Sequence, residues 1–245
     1  MFYSVEYQRY HMQIQEEIIN FLKTNGVADA GFARISDGPF GNDTFAVSLV
    51  IRLSDSVIDE ISDKPTYTYF HHYRTVNAFI DRMCLQVGFI LQKYGYNYIA
   101  IPASQSINKN GWNYQGRYSH KKAAVLAGLG GIGKNVLFLH KDYGARVRLG
   151  TVFTDCPFEA EKNEIISPCI DCDLCVNACP SGAIKGVMWH DGIERSEMFD
   201  PEKCSSFMKK EFQHIGRGAV CGICMKVCPV GRLEERKERS GTEKD

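Results

Sequence analysis

The chain has 245 residues, 44% of them hydrophobic, with 29 Lys and Arg balanced by 29 Asp and Glu. That length supports a buried core, as one large domain or a large and a small one. The even charge excludes a global field aimed at nucleic acid or an anionic membrane. Its apolar runs are too short to span a bilayer, and the opening MFYSVEYQRYHMQ has neither the basic nor the apolar stretch of a signal peptide. A cytoplasmic location without membrane contact is therefore expected. Ten cysteines are then notable, because a reducing compartment does not keep them as structural disulfides.

Apolar residues at Tyr7, Tyr10, Ile14, Ile18 and Leu22 predict a helix over 5–25 with Gly26 closing it. Strand-like runs follow at Ala30–Ile35 and Thr44–Leu53. Val76, Phe79, Ile80, Met83, Val87 and Leu91 predict a long helix over 66–93, with Cys84 in its core stripe, and residues 94–101 alternate as a strand does. A Gly/Asn/Ser-rich loop covers 103–116, after which Ser119 can cap a short helix that Gly128 closes. Val136–His140 and Ala145–Thr154 read as a hairpin turning at 141–144. From about residue 161 the chain becomes short, Cys- and Gly-rich segments, and 231–245 is a charged tail expected to be solvated and disordered. The fold class is thus an α/β (α+β) domain over 1–160 followed by a small ferredoxin-like module over 161–230.

The stretch AGLGGIGKN at 127–135 meets G-x-G-x-x-G and all but the last letter of the P-loop pattern. Both motifs need a strand before the glycines and a helix after them, so that phosphate rests on a helix N-terminus. Here a helix precedes and a strand follows, and Asn135 stands where a Mg²⁺-binding hydroxyl belongs. Neither a nicotinamide enzyme nor a nucleotide hydrolase is expected. From Arg82 to Lys141 there is no Asp or Glu, against eight Lys and Arg. Such a basic window suits a ligand with phosphate or amide groups, or a solvated face.

Cys169, Cys172, Cys175 and Cys179-Pro180 form C-x2-C-x2-C-x3-C-P, the bacterial ferredoxin run, in which three thiolates face one iron–sulfur cube and the fourth serves a second. Cys221, Cys224 and Cys228-Pro229 supply a partner motif with one cysteine fewer, and Cys204 completes the count. Cys169, Cys172, Cys175 and Cys228 are assigned to one [4Fe-4S] cluster, and Cys179, Cys204, Cys221 and Cys224 to the other. Pairs spaced C-x2-C also bind zinc, but the third cysteine at the same spacing and the trailing prolines favour iron–sulfur. Cys156 has no partner spacing and is left unassigned.

Taken in order, HKKAAVLAGLGGIGKNVLFL, GARVRLGTVFTD, CIDCDLCVNACPSGAI, CSSF and CGICMKVCP resemble the epoxyqueuosine reductase family, which is related to the reductive dehalogenases. The resemblance is dense over 118–229. It implies an oxidoreductase with base-off cobalamin in the N-terminal domain, Gly131, Gly133, Lys134 and Asn135 in the corrinoid pocket, and the eight cysteines as cluster ligands. His120, like His71 and His72, could line that pocket. Electrons would run from an external low-potential donor, of ferredoxin or flavodoxin type, to the cluster ligated by Cys228, then to the other, then to cobalt.

Two departures bear on the substrate. No Asp lies between 82 and 141 to act as the family's proton donor, and no C-terminal helical-repeat domain for holding tRNA is seen, so tRNA is not the expected partner. The related dehalogenases use a Tyr; Tyr114 and Tyr118 are the candidates, and a basic surrounding such as Arg117, Lys121 and Lys122 would be needed to bring a phenol down from about 10. A small molecule or a corrinoid protein is the expected substrate. The alternatives are a tRNA-acting epoxyqueuosine reductase with a replaced acid and an electron carrier that reduces a partner's corrinoid.

Overall fold

A computed structural model describes residues 5–107, 111, 114–160 and 167–232; the charged tail from 233 onward lies outside the described residues. Within these the chain divides into two compact units, one from the stretches 1–51, 77–129 and 148–165, the other from 52–76, 130–147 and 166–245. A single boundary near residue 160 therefore does not describe the division.

In the first unit, helix α1 (Val5–Thr24) buries Ile14, Ile18 and Leu22 completely, as the helical period requires, and Gly26 ends it at φ +84°. Tyr10, expected on the same face, is 41% exposed and sets its ring edge-on to Tyr94. Strands β1 (Asp29–Arg34) and β2 (Phe45–Arg52) pair antiparallel, Asp29 opposite Val50 and Arg34 opposite Phe45. After the short helix α2 (Asp55–Asp59), the long helix α3 (Tyr67–Lys93) turns Ile80, Cys84, Val87 and Leu91 into the core. Strand β3 (Tyr98–Ile101) follows, then α4 (His120–Leu126), whose first turn is capped by Ser119 Oγ accepting from Lys122 N–H at 3.3 Å. Gly31 lets β1 lie against the end of α4, because a Cβ there would come within 2.8 Å of the Ala127 carbonyl oxygen.

The glycines form strand β4 (Gly130–Ile132), paired antiparallel with β5 (Phe138–His140), Gly130 opposite His140 and Ile132 opposite Phe138. Strand β6 (Val147–Thr154) instead joins the four-stranded sheet, in the order β1-β2-β6-β3. The hairpin expected between 136–140 and 145–154 is therefore not formed. The physical reason is burial on both faces: β6 is buried at seven of its eight positions and suits an inner strand, not a free hairpin arm. Helix before and strand after the glycines hold as read, which removes the dinucleotide and P-loop contexts.

The second unit also holds the short helices α5 (Leu174–Asn177), α6 (Arg195–Met198), α7 (Pro201–Glu211), α8 (Gln213–Gly216) and α9 (Ile223–Lys226). The linker between β5 and β6 is tied down by Arg146, whose Nη1 donates to Asp55 Oδ1 at 2.9 Å and Nη2 to Asp59 Oδ1 at 2.8 Å. Lys226 Nζ reaches the same Asp59 oxygen at 2.9 Å. Among the described residues no helix is long and apolar enough to cross a membrane.

Candidate metal centre

The doubled cysteine motif repeats in the backbone as well as in the sequence. In Cys172-Asp173-Leu174-Cys175 and Cys221-Gly222-Ile223-Cys224, the residue after the first cysteine is left-handed, at φ 55° and 83°, and opens a four-residue helix. Helices α5 and α9 pack on each other, which brings the two loops together.

The first set lines one small cavity: Cys169, Cys172, Cys175 and Cys228 share its wall with Lys134, Asn135, Leu139, Ile170, Asp173, Pro229 and Val230. Burial, then repulsion from Cys169 and Cys172, raises the Cys175 thiol. Burial, then backbone hydrogen bonding and repulsion from Cys175, Cys169 and Cys172, leaves Cys228 pushed up to about 11.

The second set is gathered around Cys204, which sits in the first turn of α7. Asp200 caps that helix by accepting Lys203 N–H at 3.0 Å, and Pro201 opens it. Burial, then the neighbouring Cys221 and Cys179, pushes Cys204 up to about 12; Cys224 is raised by burial and by Cys221, Cys204, Cys179 and Cys175. Cys179 is the exception. Burial pushes it up, but Ser181 Oγ and the backbone around Ser181–Ile184 hydrogen-bond to the sulfur and hold its thiol below the ordinary value.

Most of these repulsions run within the quartets read from the spacing, while Cys224 also feels Cys175 of the other set. Among the described residues no three His, Cys, Asp or Glu converge as on a single metal ion. Cys169, Cys172, Cys175 and Cys228 line a small cavity instead, and crowded, mostly buried thiols fit a centre whose several cationic irons would neutralise them. Cys84 and Cys156 lie elsewhere, fully buried and each pushed up to about 12, first by burial; both are inert core thiols.

The residues expected to hold a corrinoid are differently engaged. Lys134 is buried, and its ammonium is held by Asp171 and by Asp173 Oδ1 at 2.6 Å, both in the first cysteine loop. Asn135 is buried, its Oδ1 accepting Leu137 N–H at 3.1 Å. Gly133 has no room for a side chain, since a Cβ would meet Leu139 Cδ1 at 2.7 Å; Gly131 is buried in β4, opposite Leu139. His120 is spent on Thr151 Oγ1 at 2.8 Å and the Pro102 carbonyl at 3.0 Å, and burial lowers its pKa. His72 accepts Ser54 N–H at 3.2 Å.

Tyr114 is half-buried at φ 54°. Tyr118 donates to Asp37 Oδ1 at 3.0 Å, while Lys122 Nζ takes Asp37 Oδ2 at 2.6 Å. Burial, and then the Asp37 hydrogen bond, raises the Tyr118 phenol. The basic surrounding that a lowered phenol needs is not supplied by Lys122, which pairs with Asp37. Tyr114, Tyr118 and His120 belong to the first unit, and 131–135 to the second.

Sequence reasoning missed three carboxylates. Asp171 and Asp173 looked like spacers between cysteines. Asp81 stands just before the acid-free window, yet its Oδ1 accepts Ala103 N–H at 2.8 Å, placing a carboxylate beside the end of β3. No local signal marks the first pair, because their partner Lys134 lies 37 and 39 positions upstream.

Residues 168–231 match the family described as the 4Fe-4S double cluster binding domain. The segment is thus a two-cluster iron–sulfur module. The chain is 30% identical over 126 residues to the epoxyqueuosine reductase of Listeria monocytogenes (48% of this chain, 31% of that protein). It is 32% identical over 126 residues to the tetrachloroethene reductive dehalogenase of Desulfitobacterium hafniense (45% and 22%). The matched part spans under a third of the length of either relative. Among solved structures, a reductive dehalogenase whose structure suggests a mechanism for B12-dependent dehalogenation aligns with a TM-score of 0.68 at 19% identity, covering 93% of this chain and 33% of that one. Epoxyqueuosine reductase from Bacillus subtilis aligns at 0.61 and 19%, covering 91% and 66%. The chain is thus similar in sequence to epoxyqueuosine reductases and reductive dehalogenases over less than half of its length, and it has their fold over most of it.

Proposed function

We propose that the chain is an oxidoreductase in which two [4Fe-4S] clusters pass electrons from an external low-potential donor, of ferredoxin or flavodoxin type, to a corrinoid that reduces a small molecule. The observation that carries this is the pair of cysteine quartets, adjacent through Cys175 and the buried Cys224. Two clusters in series suit one-electron transfer between a surface and an acceptor.

A corrinoid, when bound, supplies a cobalt centre reducible to a strongly nucleophilic Co(I) state. Its assignment rests on the homologous reductases and on the glycine hairpin. With Lys134 and Asn135 engaged inside their own unit, the hairpin offers such a ligand backbone groups rather than those side chains. The hairpin shares a cavity wall with the first cysteine set. That supports an order opposite to the one expected from the chain: donor, then the set of Cys179, Cys204, Cys221 and Cys224, then the set of Cys169, Cys172, Cys175 and Cys228, then the acceptor. Tyr118 keeps its proton at neutral pH and is a chemically competent donor in the first unit.

Anaerobic reconstitution followed by titration of cob(II)alamin under EPR tests the assignment. A base-off signal saturating near one equivalent is expected. The engagement of Lys134 and Asn135 favours one second reading, in which the corrinoid belongs to a partner protein; intact clusters without cob(II)alamin binding would select it.

A further inference from the structure

Lys134 is a buried cation whose two carboxylate partners both lie between cysteines of one cluster loop. Its side chain is 8% exposed, whereas those of Asp171 and Asp173 are 63% and 53% exposed. Water screens the two acids far more than the ammonium. Charge for charge, Lys134 therefore acts on the cavity lined by Cys169, Cys172, Cys175 and Cys228 more strongly than either carboxylate does.

The backbone shows that this arrangement is specified. Asp171 and Asp173 are both left-handed, at φ 58° and 55°, and Val136, two residues after Lys134, is β-branched at φ 59°. Such conformations are disfavoured for β-branched residues and are tolerated by Asp less readily than by Gly. The second cysteine loop has Gly222 at the position matching Asp173. The first loop carries a carboxylate there instead, and its partner is Lys134.

We propose that Lys134 is a positioning residue that sets the reduction potential of the cluster held by Cys169, Cys172, Cys175 and Cys228, with Asp171 and Asp173 fixing the ammonium beside it. A nearby cation favours the reduced, more negative cluster, and burial and hydrogen bonding around cluster sulfurs tune potential in the same way. The AGLGGIGKN lysine thus serves the iron–sulfur module and not a phosphate.

The inference rests on these four cysteines holding a cluster, so the experiment reads iron first. The full chain, reconstituted anaerobically, is compared with Lys134→Met, Lys134→Arg and the pair Asp171→Asn/Asp173→Asn, by iron and sulfide content and by EPR-monitored redox titration. Wild type lacking the iron of one cluster would overturn the ligand assignment itself. With both clusters present, Lys134→Met should move one midpoint potential to a more negative value and leave the other in place. Lys134→Arg should restore it, and the Asn pair should move the same potential the opposite way by a smaller amount. Unchanged potentials in both Lys134→Met and the Asn pair would overturn the inference. Should Lys134→Met lose that cluster, the Asn pair decides alone: a positive shift upholds the inference and no shift refutes it.

Discussion

At the scale of single residues, the ligands are the part of the site most legible in the sequence. Cysteine spacing is itself the geometry: C-x2-C places two thiolates on one tight loop, and a quartet short of one member demands a distant fourth. Cys204 is the candidate for that fourth ligand, and its thiol lies near Cys221 and Cys179. Cys204→Ser should therefore lower iron from about eight to about four atoms per chain and leave the other cluster's EPR signal intact; unchanged iron would remove Cys204 from the set. Lys134 was not legible in the same way. Its position in a glycine-rich stretch suggested a ligand, while its partners sit 37 and 39 positions on. No local pattern joins residues that meet only through tertiary folding. The surroundings of the Tyr118 phenol were hidden for a similar reason, since Asp37, far upstream, takes both Tyr118 and Lys122.

At the scale of elements, α1, α3 and the Ser119-capped α4 followed from apolar period and capping chemistry, because those signals are carried by side chains. Strand β4 did not. Two of its three residues are glycine, so it shows no alternation, and its pairing depends on what is missing: a Cβ on Gly130 would lie 2.1 Å from the Leu139 carbonyl oxygen. Gly144 has a like constraint at φ 53°, where a Cβ would fall 1.8 Å from the Val230 carbonyl oxygen, just past the ligand Cys228. Gly144→Ala should cost about 2–4 kcal/mol and reduce iron loading, measured by denaturant unfolding of the reconstituted protein and iron assay.

The Arg146 anchor makes a separate prediction. Burial acts against it, but hydrogen bonds from Arg146 and Lys226 hold Asp59 down to about 2, against 3.8 normally. A depressed carboxylate contributes stability above its unfolded pKa and loses it as pH falls through the folded value. The cysteine-bearing unit should thus weaken between about pH 4 and pH 2, and Asp59→Asn should flatten that part of the acid limb in a pH series of unfolding midpoints. Arg146→Ala should cost about 1.5–3 kcal/mol, because it removes charged hydrogen bonds to Asp55 and Asp59 while Asp55 keeps Arg52 and Asp59 keeps Lys226.

At the scale of the molecule, a break in composition near residue 161 suggested two consecutive domains, yet the cysteine-bearing unit also takes 52–76 and 130–147. A small module that gives seven buried or half-buried positions to thiols, with Cys172 exposed, has little apolar core of its own. Segments such as α2, which carries Asp55 and Asp59, and the β4–β5 hairpin, which precedes Lys134 with its strand and supplies Leu139, give it the rest. Composition reads stretches of chain, and cannot register this kind of long-range sharing. The central claim is that the two clusters deliver electrons to a corrinoid, and a single-turnover experiment tests it most directly. The reconstituted protein is reduced anaerobically, freed of reductant and mixed with cob(II)alamin, while cluster absorbance and the cobalt spectrum are followed together. Clusters that reoxidise as Co(I) appears, in matching electron equivalents, are the predicted result. Reduced clusters that persist beside unchanged cob(II)alamin would contradict the account.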